Sequence, residues 1–217
     1  MMQPIVSTPG IIELFGPSGS GKSTFALQVV ASCLRRDETF RAIYVCTDDT
    51  FSVKRFEQLY GLGFEDAAER IIVQHLGDLE TQEHFLCYFL HPLVQNQNVN
   101  LVIIDSISSN FRPCQRTNEV TASLYSIAKA LYRTAAEHSI PVICINQVTA
   151  DLSEGTNSLL FKPALGLSWS NCVTSRLRIE RVSENTSTRI VTIVRCPLAP
   201  SETLECQLTL AGFRSGI

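Results

Sequence analysis

The 217-residue sequence lacks long apolar runs, closely spaced cysteine pairs and an excess of basic charge, and each absence disfavours a class of protein. No apolar run approaches the roughly 18 residues that a membrane-crossing helix requires. The N-terminal residues MMQPIVSTPG lack a basic start followed by an apolar stretch, so they predict no secretory signal. We therefore expect an intracellular protein with no membrane partner.

The eight cysteines are scattered and form neither a Cys-x-x-Cys pair nor a zinc-type spacing. Cys46 and Cys144 lie within apolar, strand-like runs, where a free thiol behaves as a small hydrophobic side chain. The sequence therefore favours free thiols over a disulfide framework or a metal site.

The balance of charge is slightly acidic, with 18 Lys and Arg residues against 21 Asp and Glu residues. A protein that holds nucleic acid unaided usually shows a basic footprint. Any contact with nucleic acid is therefore expected to be local or shared with partner proteins.

The first three-quarters of the chain alternates short β-branched runs with helical patterns, which predicts a parallel sheet with crossover helices. Several runs are apolar throughout, as strands covered on both faces are. The predicted strands are Ile11–Phe15, Ala42–Thr47, Ile71–His75, Leu101–Asp105 and Val142–Gln147. The predicted helices are Ser23–Arg35, Ser52–Tyr60, Leu79–Gln95 and Val120–His138.

The last quarter has a different pattern, with three strands in quick succession: Cys172–Arg181, Thr188–Arg195 and Leu204–Leu210. Turn-rich links between them predict antiparallel strands that extend one edge of the sheet. Ser106–Glu119 and Val148–Leu167 fit neither a strand nor a helix. Both follow a core strand at its carboxyl end, where open α/β sheets place their ligand loops.

The strongest motif is a P-loop that lies between a predicted strand and a predicted helix, the context that this motif requires. Its glycines let backbone N–H groups surround phosphates, and the helix directs its positive end at the same anion. Lys22 can neutralise the β- and γ-phosphates of ATP, and the Ser23 hydroxyl can bind Mg²⁺. The predicted nucleotide-binding residues are Gly16, Pro17, Ser18, Gly19, Ser20, Gly21, Lys22, Ser23 and Thr24.

Three further residues at strand ends are candidates for the chemistry of this site. Asp105 suits the acid that holds Mg²⁺ through water, although an Asp at this place can also cap a turn. Asp48 is the candidate for activating water, with Asp49 as the alternative. Gln147 could sense the γ-phosphate, or its amide could satisfy loop backbone.

The ordered motifs GPSGSGKST, AIYVCTDDTF, LVIIDSISSNFR and PVICINQVT together resemble the RecA/eukaryotic strand-exchange recombinase family. The later segments ALGLSWSNCVTSRLRIE and VRCPLAP extend the resemblance over nearly the whole chain. CINQVT and ALGLSWSN are most similar to recombinase paralogues of the X-ray repair cross-complementing protein three type.

The resemblance implies a single RecA-like ATPase core over residues 1–217, without the family's helical N-terminal domain. It places the family's catalytic acid on Asp48 and its γ-phosphate-sensing amide on Gln147. It also makes the two segments that fit neither a strand nor a helix DNA-facing loops, with Arg112 and Arg116 in the first and Lys162 in the second. A protein of this kind binds ATP and Mg²⁺ in the nucleus, in a heteromeric complex that assists a recombinase on single-stranded DNA.

Two departures from the family pattern carry predictions of their own. Asp48 is one methylene shorter than the family's glutamate, which predicts slow, DNA-dependent ATP hydrolysis at most. Both loops mix acidic with basic residues, which predicts weak DNA binding by the chain alone. Two alternatives remain: a nucleotide-stabilised scaffold without significant hydrolysis, and a free-standing P-loop ATPase or kinase.

A cluster of arginines in the late strands has two interpretations. It could be a basic edge that meets DNA or an acidic partner, or a solvated strand face partly balanced by Glu180 and Glu184, which is the favoured interpretation. The cluster consists of Arg176, Arg178, Arg181, Arg189 and Arg195.

Overall fold

A nine-stranded sheet forms the centre of the protein in the order β11-β10-β9-β8-β1-β5-β4-β2-β3. The computed structural model describes residues 8–48, 50–114, 117–151 and 160–215. The strands of this sheet are β1 (Gly10–Phe15), β2 (Ala42–Cys46), β3 (Ile71–His75), β4 (Leu101–Asp105), β5 (Pro141–Asn146), β8 (Ser175–Arg181), β9 (Thr188–Arg195), β10 (Thr203–Thr209) and β11 (Gly212–Ser215).

The first five strands pair in parallel, as the alternating pattern predicts. Their residues are apolar in succession because helices cover both faces of the sheet: Ile103 packs in the core on one face and Ile104 in the core on the other. Parallel pairing aligns the carboxyl ends of β1, β2, β4 and β5. The loops that follow these strands therefore meet at one edge of the sheet.

The connecting helices agree with the predicted ones to within a few residues and carry their apolar residues at helical spacing. A π-helical turn, Phe85–Phe89, interrupts the predicted helix Leu79–Gln95, and a short helix after Gly63 was not predicted. The helices are α1 (Lys22–Arg36), α2 (Val53–Tyr60), α3 (Phe64–Ala68), α4 (Leu79–His84), α5 (Leu90–Gln97), α6 (Asn118–His138) and α7 (Gly166–Ser170). Among the residues described, no helix is long and apolar enough to cross a bilayer.

The last four strands extend one side of the sheet. β8 runs parallel to β1, whereas β8–β9, β9–β10 and β10–β11 are antiparallel pairs. This arrangement confirms the predicted antiparallel edge and adds β11, whose Phe213 packs edge-to-face against Phe25 of α1 at 5.6 Å between ring centroids.

The segment Val148–Leu167 is partly regular. β6 (Val148–Asp151) and β7 (Leu160–Pro163) form a separate antiparallel hairpin, and α7 follows it. Alternating patterns this short are hard to separate from loop sequence, which is why the sequence did not predict the hairpin.

A buried carboxylate in β1 ties three strands together directly behind the P-loop. Glu13 is fully buried, forms an ion pair with Arg176 of β8 and accepts a hydrogen bond of 2.7 Å from the side-chain amide of Asn146 in β5. A buried charge requires partners of this kind because its desolvation is costly. The cluster fixes β1 between β5 and β8, the strands that flank the nucleotide loop.

Candidate functional site

The P-loop connects β1 to α1 and adopts the conformation that glycine makes possible. Gly19 and Gly21 have φ angles of +68° and +104°, in the left-handed region that other residues rarely adopt. Gly21 is the N-cap of α1, and its carbonyl accepts the first helical hydrogen bond, 2.8 Å from the nitrogen of Phe25. The free N–H groups at the start of α1 therefore face the concave side of the loop.

A side chain would clash with main chain at one glycine of the loop and would crowd an aromatic ring at another. A Cβ atom on Gly16 would lie 2.0 Å from the carbonyl oxygen of Ile179 in β8, and one on Gly21 would lie 3.0 Å from the Phe213 ring. The backbone cradle thus requires glycine at both positions. A cradle of backbone N–H groups at a helix N-terminus suits a phosphate anion, so the residues fit ATP.

Lys22 lies at the start of α1 with its ammonium group directed into the loop. The Nζ atom donates to the carbonyl oxygens of Gly16 and Pro17, each at 2.8 Å. Burial lowers the pKa of Lys22 from 10.5 to about 8; the negative charge of Asp105 opposes this shift and the positive charge of Arg112 adds to it. A desolvated ammonium at this position gains strongly from a triphosphate. Ser23 is exposed beside it at the helix N-terminus.

Asp105 ends β4 at the edge where the strand ends meet, and Tyr44 of β2 orients its carboxylate. The Tyr44 hydroxyl donates to Oδ2 of Asp105 at 2.7 Å. Burial, followed by the charge of Asp105, raises the pKa of Tyr44 well above its usual value, so the phenol stays protonated. A fixed carboxylate close enough to Lys22 to act on its pKa could hold Mg²⁺ through water. Tyr44 was not predicted from the sequence, where the signal was a single tyrosine within an aliphatic strand.

Asp48 and Gln147, predicted separately from the ends of two strands, lie in contact. The side-chain amide of Gln147 donates to Oδ2 of Asp48 at 2.9 Å, and the Ser109 hydroxyl donates to the same oxygen at 2.6 Å. One carboxylate oxygen therefore accepts two hydrogen bonds, which orients it and stabilises its charge. The alternative Asp49 lies outside the residues described.

The strand ends that carry these residues are joined by a hydroxyl network that the sequence analysis did not anticipate. Oγ1 of Thr47 donates to the carbonyl of Ser106 at 2.6 Å and accepts from the Ser106 N–H at 2.8 Å. Ser106 in turn shares a hydrogen bond with Ser109, and the Ser108 hydroxyl accepts from the Gln147 N–H at 3.1 Å. The serine-rich run after Asp105 was the available signal, although the resemblance implied that this whole run is a DNA-facing loop.

Two of the predicted DNA-facing residues, Arg112 and Lys162, lie within the described residues. Arg112 follows a 3₁₀ turn, Ser109–Phe111, and is exposed, while Lys162 is exposed in β7 opposite Thr149. Arg112 and Thr149 both line a cavity of about 380 Å³ between the first loop, the β6–β7 hairpin and α7. The two loops thus border one groove. Arg116 lies outside the described residues, and the contribution of Arg112 and Lys162 to DNA binding stays a prediction.

Comparison with known proteins agrees with this geometry. The Rad51 family model, described as "Rad51", matches residues 1–215. The DNA repair protein XRCC3 of Mus musculus is 30% identical over 208 residues, which cover 81% of this chain and 58% of that protein. The DNA repair protein rhp57 of Schizosaccharomyces pombe is 26% identical over 247 residues, covering 88% of this chain and 69% of that protein. These relatives confirm the predicted resemblance to recombinase paralogues.

A solved structure confirms the predicted fold. The crystal structure of the RadB recombinase matches with a TM-score of 0.79 and 25% identity, covering 98% of this chain and 93% of that chain. The chain spans less than two thirds of the length of the mouse relative. Proteins of the Rad51/RecA type generally bind ATP with Mg²⁺, which agrees with the P-loop geometry.

Proposed function

Because the chain belongs to the Rad51 family, we propose that it is an ATP-binding recombinase paralogue that assists homologous-recombination DNA repair. It would support or remodel recombinase filaments on single-stranded DNA within a heteromeric complex in the nucleus. The observation that carries the proposal is the convergence of Lys22, Asp105, Asp48 and Gln147 at the strand ends of a RecA-type sheet.

In this proposal each residue has a separate role. Lys22 and the loop amides hold the β- and γ-phosphates, while Ser23 and Asp105 hold Mg²⁺, which would neutralise phosphate charge. The side-chain amide of Gln147 senses the γ-phosphate, and the backbone N–H of Gln147 links it to the groove beside Arg112 through the Ser108 hydroxyl. Nucleotide binding and the DNA-facing groove are therefore coupled through the first loop.

The complex can be tested by co-purification from the cells that make the protein. A tagged chain is expected to recover a recombinase or another paralogue, and Lys22→Ala is expected to lose most of the nucleotide-dependent recovery. Arg70→Ala serves as the matched control because the Arg70 guanidinium donates to the carbonyls of Leu34 and Asp37 at the far end of α1. Recovery of a metabolic enzyme instead would contradict the proposal.

A second function, a nucleotide-stabilised scaffold without significant hydrolysis, is favoured by the state of Asp48. Its Oδ2 accepts hydrogen bonds from both Gln147 and Ser109, so these donors compete with a water for that oxygen. A general base must lie within hydrogen-bond reach of the water that it activates, and two protein donors already occupy this oxygen.

Substitution of Asp48 separates these two functions. If the protein works as a scaffold, Asp48→Asn should keep Mg·ATP binding and partner recovery, because the amide preserves the size of the side chain. If hydrolysis is required, the same change should lower DNA-dependent phosphate release about 100-fold and abolish complementation of repair in cells. Lys22→Ala should lose Mg·ATP binding and partner recovery in both cases.

A further inference from the structure

The arginines of the late strands are engaged with the protein rather than solvated as one face. Arg189 is only 5% exposed, which contradicts the favoured interpretation of a solvated strand face at that position. Arg176 pairs with Glu13, and Arg195 donates to the carbonyls of Ser170 and Val173. Arg178 pairs with Glu180, as the favoured interpretation expects. The last two members, Arg181 and Arg189, both reach the P-loop.

Two consecutive carbonyls of the P-loop accept hydrogen bonds from these guanidinium groups. Nη2 of Arg181 donates to the carbonyl of Gly19 at 2.9 Å, and Nε of Arg189 donates to the carbonyl of Ser20 at 3.0 Å. Arg189 is held in turn by the carbonyls of Thr186 and Thr188, at 2.9 and 3.0 Å. The β8–β9 hairpin therefore contacts the P-loop on the side of its carbonyls.

The two arginines repel each other, and the carbonyls of the P-loop offset this repulsion. Arg181 and Arg189 are opposite each other in the antiparallel register of β8 and β9. Like charges directly opposite each other destabilise a strand pair. Burial lowers the pKa of Arg189, and the charge of Arg181 adds to that effect. The P-loop carbonyls supply the partial negative charge that this pair requires.

The geometry of the peptide unit links these carbonyls to the phosphate side of the loop. The carbonyl of Ser20 and the N–H of Gly21 belong to one planar peptide and point in opposite directions. Fixing the carbonyl on the outside therefore fixes the direction of the N–H on the inside. A charged donor on the carbonyl also polarises the N–H, which strengthens its bond to an anion.

We propose that Arg181 and Arg189 are positioning residues of the nucleotide site, which hold the Gly19 and Ser20 carbonyls and so set the orientation of the two peptide groups. The N–H of the second peptide, that of Gly21, then faces the triphosphate, while the N–H of the first, that of Ser20, closes the loop on the Pro17 carbonyl at 3.3 Å. This proposal rests on the proposed binding of ATP. It makes the nucleotide affinity of the chain depend on its C-terminal strands, through contacts that both arginines make with loop carbonyls.

Arg181 gives the cleaner test because it is exposed and its loss leaves the core intact. Arg181→Ala is expected to weaken binding of the fluorescent analogue mant-ATP with Mg²⁺ about three- to tenfold. Arg70→Ala, which removes an equivalent guanidinium–carbonyl contact at the other end of α1, should bind with wild-type affinity. Arg181→Lys should recover only part of the affinity, because an ammonium lacks the planar fork.

Hydrogen exchange of the protein without nucleotide provides a second readout. Arg181→Ala should speed amide exchange at Ser20 and Gly21 while leaving exchange in β4 unchanged, and the thermal midpoint should stay within about 2 °C of wild type. Arg189→Lys should show the same pattern at Gly21, with a larger loss of stability because the site is buried.

Several outcomes would overturn the positioning role. These are wild-type affinity in Arg181→Ala, an equal loss in Arg70→Ala, or a loss that disappears in 0.5 M KCl or on substitution by Lys. The last two results would mean that Arg181 acts only through its charge. If the wild-type chain does not bind Mg·mant-ATP, the proposed function fails together with the positioning role. If the wild-type chain binds Mg·mant-ATP and the arginine variants bind it with the same affinity, only the positioning role fails.

Discussion

Lys22 is the residue on which the nucleotide site depends most directly. The titration of its ammonium group can be measured. With a pKa of about 8 in the folded protein, it loses its charge within an accessible pH range. Bound ATP stabilises the protonated form of Lys22. Near pH 8, Lys22 therefore keeps its proton in the ATP-bound protein and loses it in the nucleotide-free protein. Affinity is therefore greatest below pH 8 and falls as the pH rises through that value.

The first prediction concerns this titration. Between pH 7 and pH 9 the protonated fraction of Lys22 drops from about 0.9 to about 0.1, so the Kd for Mg·ATP should rise about tenfold. Isothermal calorimetry at several pH values measures it. Lys22→Arg should bind more weakly but show no such dependence, since a guanidinium remains charged. A wild-type Kd that stays constant over this range would contradict the shifted pKa.

At the scale of elements, the junction between β1 and β8 sets the shape of the P-loop. Gly16→Ala should cost about 3 kcal/mol of unfolding free energy, because its Cβ would lie 2.0 Å from the main-chain oxygen of Ile179 and only strand separation relieves the clash. Gly63→Ala is the control: its backbone is left-handed, with φ +78° and ψ +20°, but a Cβ atom added there would meet no described atom within 4 Å beyond its chain neighbours.

That control should cost only about 1 kcal/mol, the conformational penalty alone. Urea unfolding of both variants measures the difference, and mant-ATP binding should be lost only in Gly16→Ala. Equal unfolding free energies would mean that β1 and β8 can separate at little cost.

The elements were also where sequence reasoning succeeded and failed. Strands buried on both faces, such as β4, were predictable because their apolar runs have no other stable environment. Asp48 and Gln147 were predictable as strand-end residues, but the contact between them was not. Asp48 follows β2 and Gln147 follows β5, and the contact depends on the strand order β5-β4-β2 in the sheet. Tyr44 and Ser109 were missed because hydrogen bonds across distant strands leave no local pattern. Arg189 was misinterpreted for the same reason.

The whole molecule carries a formal net charge of −3, and this balance argues against strong DNA binding by the chain alone. Three predicted DNA-facing cations, Arg112, Arg116 and Lys162, would neutralise few phosphates. For single strands, the affinity changes with salt by a slope of about −0.7 per phosphate neutralised. A slope near −2 and a Kd weaker than about 10 μM at 0.15 M salt are therefore expected for the isolated chain.

Fluorescence anisotropy with a labelled oligo-dT across a salt series tests the last prediction. Arg112→Ala should reduce the slope by about 0.7, because one phosphate contact is lost from the groove. Arg133→Ala is the matched control, since Arg133 pairs with Glu137 on α6 and should leave the slope unchanged. Nanomolar binding by the chain alone, with a slope steeper than about −4, would require a basic surface that three residues do not provide. If a partner restores tight DNA binding, most of the phosphate contacts lie on the partner's surface. An acidic paralogue requires such a partner because it carries few phosphate-binding cations of its own.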